Sequence, residues 1–322
     1  MFLKSAEDQV VPAWACFFSA AEYREFIHRV ALYFKNREIA YHPGEGAVCR
    51  TSHGGHGLEK MGLLNLAQHC RLRPPAEWNK LITSHFDGIR KAAGFESGFS
   101  AKAHDFDFVK HAIAVRVYPR EYVAAIEDGL VIGQLVTDDI YAMLVFDFPD
   151  CIVNIRPEQT IQWGLTNEEL FELGLENIRK KYPLDISKQL LDGVSFHLVI
   201  HDHFYSPNVL LMLEKILAEP PVHGFLVGVP NRHAVLLHPI TGSKVLPAIH
   251  RMIPAVAGMY RDGPGSISEK LYWFSGGEFI PLPYTIDAEN INLNPPPGFL
   301  ELLNRLKPGT DSSGQPSLPA WY

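Results

Sequence analysis

Short apolar runs of period two, paired across tight turns and interrupted by helical stripes, constrain this chain more than any other feature. Ile113, Val115 and Val117 alternate with Ala114, Arg116 and Tyr118, the pattern of a strand with one buried face. Pro119 breaks it and starts a short helix to residue 127. Apolar runs at 130–136 and 140–148 flank the turn Thr137-Asp138-Asp139, and 151–155 adds a short strand. A further strand is expected over 195–203 and a hairpin of 225–229 with 234–238 around Pro230-Asn231-Arg232-His233. A last hairpin, 270–274 with 278–282, crosses Ser275-Gly276-Gly277. The helical signals lie between these strands. Thr166 and Glu169 form a capping box, and the helix runs through Phe171, Leu175 and Ile178 to Lys180 and Lys181, the charge sign a helix C-terminus favours. Asn208 suits the cap of a helix to 217. The stripe Ile249, Met252, Ile253, Val256 and Tyr260 contains Pro254, where a kink is expected.

The first hundred residues carry the same alphabet. Ser19 and Glu22 make a capping box, followed by the stripe Tyr23, Phe26, Ile27, Val30 and Phe34. Strands are expected at 38–41 and 47–51 around the turn 42–46, then the glycine-rich run SHGGHG at 52–57. Pro74-Pro75 opens a helix with Trp78, Leu81, Ile82, His85 and Ile89 on one face, ending at Gly94. The stretch 94–105 has a linker's composition. The fold class is therefore α+β, in two lobes, each a small, largely antiparallel sheet packed against helices. The expected organisation is an N-terminal lobe at 1–105, a second α+β domain at 106–284, and a proline-rich tail at 285–322, partly disordered, with a short helix over 299–306.

Composition narrows the partners. The 322 residues hold 29 basic and 36 acidic side chains, a net charge of −7, which argues against binding to nucleic acid or to acidic lipid. The longest apolar runs are broken by Asp and fall far short of the about 20 residues that cross a bilayer. Residues 10–21 are apolar but lack the basic segment that precedes a signal-peptide core, so no signal peptide is expected. The four cysteines, Cys16, Cys49, Cys70 and Cys151, form no C-x-x-C pair, as suits reduced thiols in a cytoplasmic protein.

The order of several blocks resembles the YtpQ-like bacterial family (domain of unknown function 1444). These are Arg116 to Pro119, Asp138-Asp139 before a strand ending in Asp147, the run from Trp163 to Leu170, Asn177-Ile178, Val229-Pro230-Asn231-Arg232, and the pair Leu271 to Phe274 with Phe279 to Leu282. The resemblance covers about residues 113–284 and implies a cytosolic α+β protein with no named cofactor or substrate. The chain departs from the family at Phe204-Tyr205-Ser206-Pro207-Asn208-Val209, where family members carry a Gly-Tyr-Asp-Ala-Ser-Arg-like run. Tyr205 is kept and the charges are not.

Two functional readings follow. His197, His201 and His203, on one face of a strand, have the residue type that holds zinc or another divalent metal, with an acid such as Asp139 completing the shell. That reading is a metal-dependent hydrolase. His53 and His56 share a flexible loop without a third ligand, and His85 reads as a hydrogen-bonded core histidine. No G-x-S-x-G elbow, protease cysteine motif, complete P-loop or dinucleotide fingerprint occurs. The acidic pairs are Asp105/Asp107, Asp138/Asp139 and Asp147/Asp150. Arg116 and Arg232 suit either an anion or a structural bridge to such acids, and the bridge is the expected arrangement. The absence of intact catalytic motifs favours the other reading: a non-catalytic cytoplasmic protein, without a cofactor, that binds a partner protein or a small ligand, with Arg116, Asp138, Asp139, Asn231 and Arg232 as the candidate contacts.

Overall fold

Residues 11–51, 58–99, 102–126, 129–149, 151–215, 221–287 and 290–306 are described by the computed structural model. In the N-terminal lobe, helix α1 (Ala20–Asn36) opens on the Ser19–Glu22 capping box, each residue's backbone N–H donating to the other's side chain. Strands β1 (His42–Gly44), β2 (Ala47–Thr51) and β3 (Leu58–Gly62) form an antiparallel sheet. The first strand lies at 42–44 rather than 38–41. Gly44 pairs with Ala47, so the turn is only Glu45-Gly46, and Gly46 takes the left-handed conformation (φ +62°) that this turn needs. Helix α2 (Leu64–Arg71) carried no clear signal. Helix α3 (Trp78–Phe99) runs past Gly94 into the expected linker, because Phe99 is buried against the rings of Phe146 and Phe148. Phe26, Val30, Phe34, Trp78, Ile82 and Phe86 fill this lobe's core.

After α4 (Phe106–Val109) comes β4 (Ile113–Pro119), then α5 (Arg120–Ala124), β5 (Gly133–Leu135), β6 (Ile140–Asp147) and β7 (Ile152–Asn154). β6 pairs with β4 along one edge and with β5 and β7 along the other. Following α6 (Pro157–Thr160), helix α7 (Asn167–Lys181) covers the free edge of β4. The absence of a side chain at Gly174 permits this approach, since a Cβ there would lie 3.0 Å from the Ala114 backbone. The Asn177 amide donates to the Ile113 carbonyl at 2.9 Å, and the Asn208 amide to that of Val115 at 2.8 Å. An edge strand is thereby satisfied without a strand neighbour. β4 is consequently buried on both faces, not one.

The remaining strands are β8 (Ser187–Leu191), β9 (Val194–Ile200), β10 (Phe225–Asn231), β11 (Ala234–Pro239), β12 (Leu271–Ser275) and β13 (Glu278–Pro281), an antiparallel sheet of order β13-β12-β10-β11-β9-β8. Its inner face (Val199, Val227, Val235, Leu237, Tyr272) packs on the four-stranded sheet (Val115, Val117, Leu144, Phe146) in one buried cluster. Its outer face packs on helix α8 (Val245–Asp262) through Ile249, Met252, Ile253 and Val256. Pro254 lies exposed within α8, which continues to Asp262. The architecture is thus α+β, two sheets face to face with helices outside.

Three expectations change here. The strand read as 195–203 ends at Ile200, where its last pairing, to Ala234, is made. Ser206–Lys215 is 3-10 rather than α-helical and is broken at Met212 (φ −141°), and Asn208 spends its amide on β4. Much of the stretch assigned to a tail is folded. β14 (Tyr284–Ile286) and β15 (Ile291–Leu293) pair, and α9 (Pro297–Leu306) buries Phe299, Leu302 and Leu303 in the outer core. Residues 307–322 lie outside the described residues. Among the described residues no helix is long and apolar enough to cross a membrane.

Candidate anion-binding site

Two arginines meet where the N-terminal lobe touches the two-sheet body. Arg116 shares with Ala114 and Tyr118 the β4 face turned away from the second sheet. Arg232 occupies the tight β10–β11 turn, because Asn231 pairs with Ala234 and leaves Arg232-His233 as its two residues. Phe204 comes from the turn after β9. Both guanidiniums lie against its ring, with Cζ–centroid distances of 5.1 Å for Arg116 and 4.5 Å for Arg232. Arg116 also lies 5.1 Å from the Tyr118 ring.

Neither arginine has an acidic partner among the described residues. Arg116 is only 5% exposed, and the Nε atoms of both are buried without a hydrogen-bond partner. Burial, followed by the nearby Arg116 charge, holds the Arg232 guanidinium down to about 10; only the Tyr118 hydroxyl acts the other way. Stacking on an aromatic ring returns about 0.5–2 kcal/mol. Desolvating an ion costs several. The ring therefore does not compensate two buried cations, and the site lacks a counter-charge.

The N-terminal lobe supplies the surrounding imidazoles. His69 of α2 and His85 of α3 are pushed down to about 4 by burial and then by the Arg232 charge, so both are neutral near pH 7. The His69 ring stands edge-on to His233 at 5.5 Å, and His233 stands edge-on to Phe204 at 5.1 Å. His233 Nδ1 bonds the His201 carbonyl at 3.0 Å, and a carbonyl can only accept. The free Nε2 of neutral His233 is therefore a lone pair. Buried Nε2 atoms of His85 and His233 join the two arginine Nε atoms as polar groups without partners in this one cluster.

Asn231 sets the turn geometry: its carbonyl oxygen accepts from His233 N–H at 3.0 Å and its amide donates to the Met259 carbonyl at 2.9 Å. Gly265, at φ +70°, lets the loop after α8 lie directly on Arg232, and a Cβ there would overlap the guanidinium. The N-terminal lobe is fastened to the same region. Asn65 accepts from Gly265 N–H at 3.0 Å, and Gln68 donates to the Arg261 carbonyl at 3.0 Å. A cleft of about 930 Å³ opens between the lobes, lined by His69, Arg73, His201, Asn231, His233 and Met259, among others. From it, contacts run inward through His69 and His233 to Phe204 and then to both guanidiniums.

The other sequence-selected residues lie elsewhere. The expected bridge from Arg116 or Arg232 to Asp138 or Asp139 does not form, because β12 and the residues just before it supply the partners. Asp138 pairs with Lys270 at 2.6 Å. Asp139 accepts from the Tyr272 hydroxyl, from Ser268 at 2.8 Å and from Thr137 at 2.9 Å, with Lys270 at 3.5 Å. Asp147 accepts from Lys181, Tyr182 and Tyr205. Asp105 caps α4 and Asp107 pairs with Lys110. Asp150, His53 and His56 lie outside the described residues.

His197, His201 and His203 do not share one strand face, since β9 stops at Ile200. The His201 and His203 rings stack at 4.6 Å. Ring nitrogens of both accept from backbone N–H groups, His201 Nε2 from Asp185 and His203 Nδ1 from Tyr205. Among the described residues no group of three or more His, Cys, Asp or Glu is placed to hold a metal ion. Sequence reading missed Phe204, His69 and His233 as site residues and took His85 for a hydrogen-bonded core residue. Phe204 had one available signal, its position at the start of the block that departs from the YtpQ-like pattern.

No known protein family, curated protein or solved structure matches the chain.

Proposed function

We propose that the protein is a non-catalytic, cytoplasmic binding protein that captures an anionic group of a small ligand on Arg116 and Arg232. The observation that supports this reading is the pair of buried guanidiniums without an acidic partner among the described residues. Unpaired buried cations are costly enough that a ligand anion is the natural complement. Their depth favours a small molecule over a folded partner, whose surface acids would not reach Arg116. The interlobe cleft, of a volume typical of small-molecule sites, is lined by His69 and His233, the rings next to Phe204, and not by either arginine itself. Both arginines also lie in blocks that carry the YtpQ-like resemblance, which we keep as part of the proposal.

The test is a thermal-shift series on the purified chain with chloride, acetate, sulfate, phosphate and succinate. Saturable stabilisation by at least one of them, lost in Arg116→Met and Arg232→Met, is the expected result. If none stabilises the wild type, or if the same shift persists in both variants, the reading fails.

A further inference from the structure

Resting on that anion-binding reading, we propose that the ligand's head group is a compact phosphoryl dianion, a phosphate monoester or free phosphate, held by both guanidiniums together.

Charge count is the first argument. Arg116 and Arg232 bring two permanent positive charges, and among the described residues neither is paired with a carboxylate. A monoanion would leave one buried charge uncompensated, whereas a dianion neutralises the pair. Geometry is the second. Both guanidiniums contact one and the same phenyl ring, from different elements, so a single small group is the economical bridge between them. A guanidinium's planar fork matches phosphate oxygens in a two-bond arrangement, and an ammonium would not. The third argument is the supply of neutral donors. A phosphoryl group presents three strong acceptor oxygens, more than two arginines need saturate. The Tyr118 hydroxyl faces Arg116, and His85, close enough to feel the Arg232 charge, has a buried Nε2 without a partner. The neutral His85 ring can place its proton on that nitrogen and donate it.

The inference is tested by calorimetric titration of the whole chain in phosphate-free buffer near pH 7.5, where a phosphate monoester is mostly dianionic. Four probes suffice: inorganic phosphate, methyl phosphate, dimethyl phosphate and succinate. Dimethyl phosphate keeps the tetrahedral shape with one charge, and succinate keeps two charges but separates them. Methyl phosphate or phosphate is expected to bind roughly tenfold or more tightly than either control, the worth of one charge-assisted hydrogen bond. Binding of methyl phosphate as well as phosphate assigns the ligand to the esters; binding of phosphate alone assigns it to the free ion. Arg232→Lys, which keeps the charge but loses the fork, is expected to weaken the binding and not abolish it. Equal affinity for methyl and dimethyl phosphate, or tighter binding of succinate, overturns the dianion assignment and leaves anion binding intact. Absence of binding by every probe overturns both. The ligand series on the wild type decides the matter even if a variant folds poorly.

Discussion

Removing the Arg232 charge should make the protein more stable, the reverse of the usual effect of truncating a well-buried side chain. In Arg232→Met the unbranched apolar stem stays and the guanidinium goes. A guanidinium held at about 10 instead of 12.5 bears up to about 3 kcal/mol of unfavourable burial, at roughly 1.4 kcal/mol per tenfold change in proton affinity. Part of the residue still meets solvent, so this is an upper figure. Losing the stack on Phe204 costs about 0.5–2 kcal/mol in return. The net expectation is a gain of about 1–2 kcal/mol in anion-free buffer, read as a higher urea midpoint with an unchanged slope. Arg116→Met should act in the same direction. The double variant should gain less than the two singles together, because each removal relieves the charge left behind. Saturating ligand should narrow the difference by stabilising only the wild type. If Arg232→Met unfolds more easily by over about 1 kcal/mol without anion, the guanidinium is satisfied within the fold and the argument for a ligand collapses.

Three further outcomes test the scaffold. Asp139→Asn should cost about 2–3 kcal/mol by leaving Tyr272, Ser268 and Thr137 without their carboxylate. Burial opposes ionisation of Asp139, but those hydrogen bonds and Lys270 outweigh it and hold the carboxyl below its ordinary 3.8. Its contribution is therefore fully present above about pH 4 and is lost as pH falls through the lowered value, so urea midpoints in acid should decline less steeply in Asp139→Asn. Phe299→Ala should cost about 3–5 kcal/mol, since Phe299 is fully buried against Trp273 at 5.2 Å; a loss under about 1 kcal/mol would mean α9 is not part of the core. Gly224→Ala should lower the midpoint by about 3 kcal/mol or more, because φ is +76° and the new methyl would overlap the Phe274 carbonyl; near-neutrality would show that the β10–β12 pairing is wrong there.

The elements that sequence reading located are those whose signals are local. The Ser19–Glu22 and Thr166–Glu169 capping boxes form because residues three apart in the chain satisfy each other's backbone groups. β6, the β10–β11 pair and the β12–β13 hairpin follow from apolar runs and from glycines at Gly276 and Gly277 that accept positive φ. β8 escaped notice because all five of its residues are exposed, so nothing selects an apolar alternation. α3 outran Gly94 because Phe99 finds two aromatic partners on another sheet.

The same division governs the site. Patterns in the chain determined that Arg116 sits on a strand and Arg232 in a turn, and marked both as candidates for an anion. They could not decide which cation meets which acid, since that depends on strands far apart in sequence. The sheet order brings Lys270, Ser268 and Tyr272 to Asp138 and Asp139, and the docking of α2 and α3 brings His69 and His85 to Arg232. Carboxylates bind the donors that the packed strands place within reach, so only the tertiary structure could bring the two arginines to one ring, Phe204, without an acidic partner among the described residues.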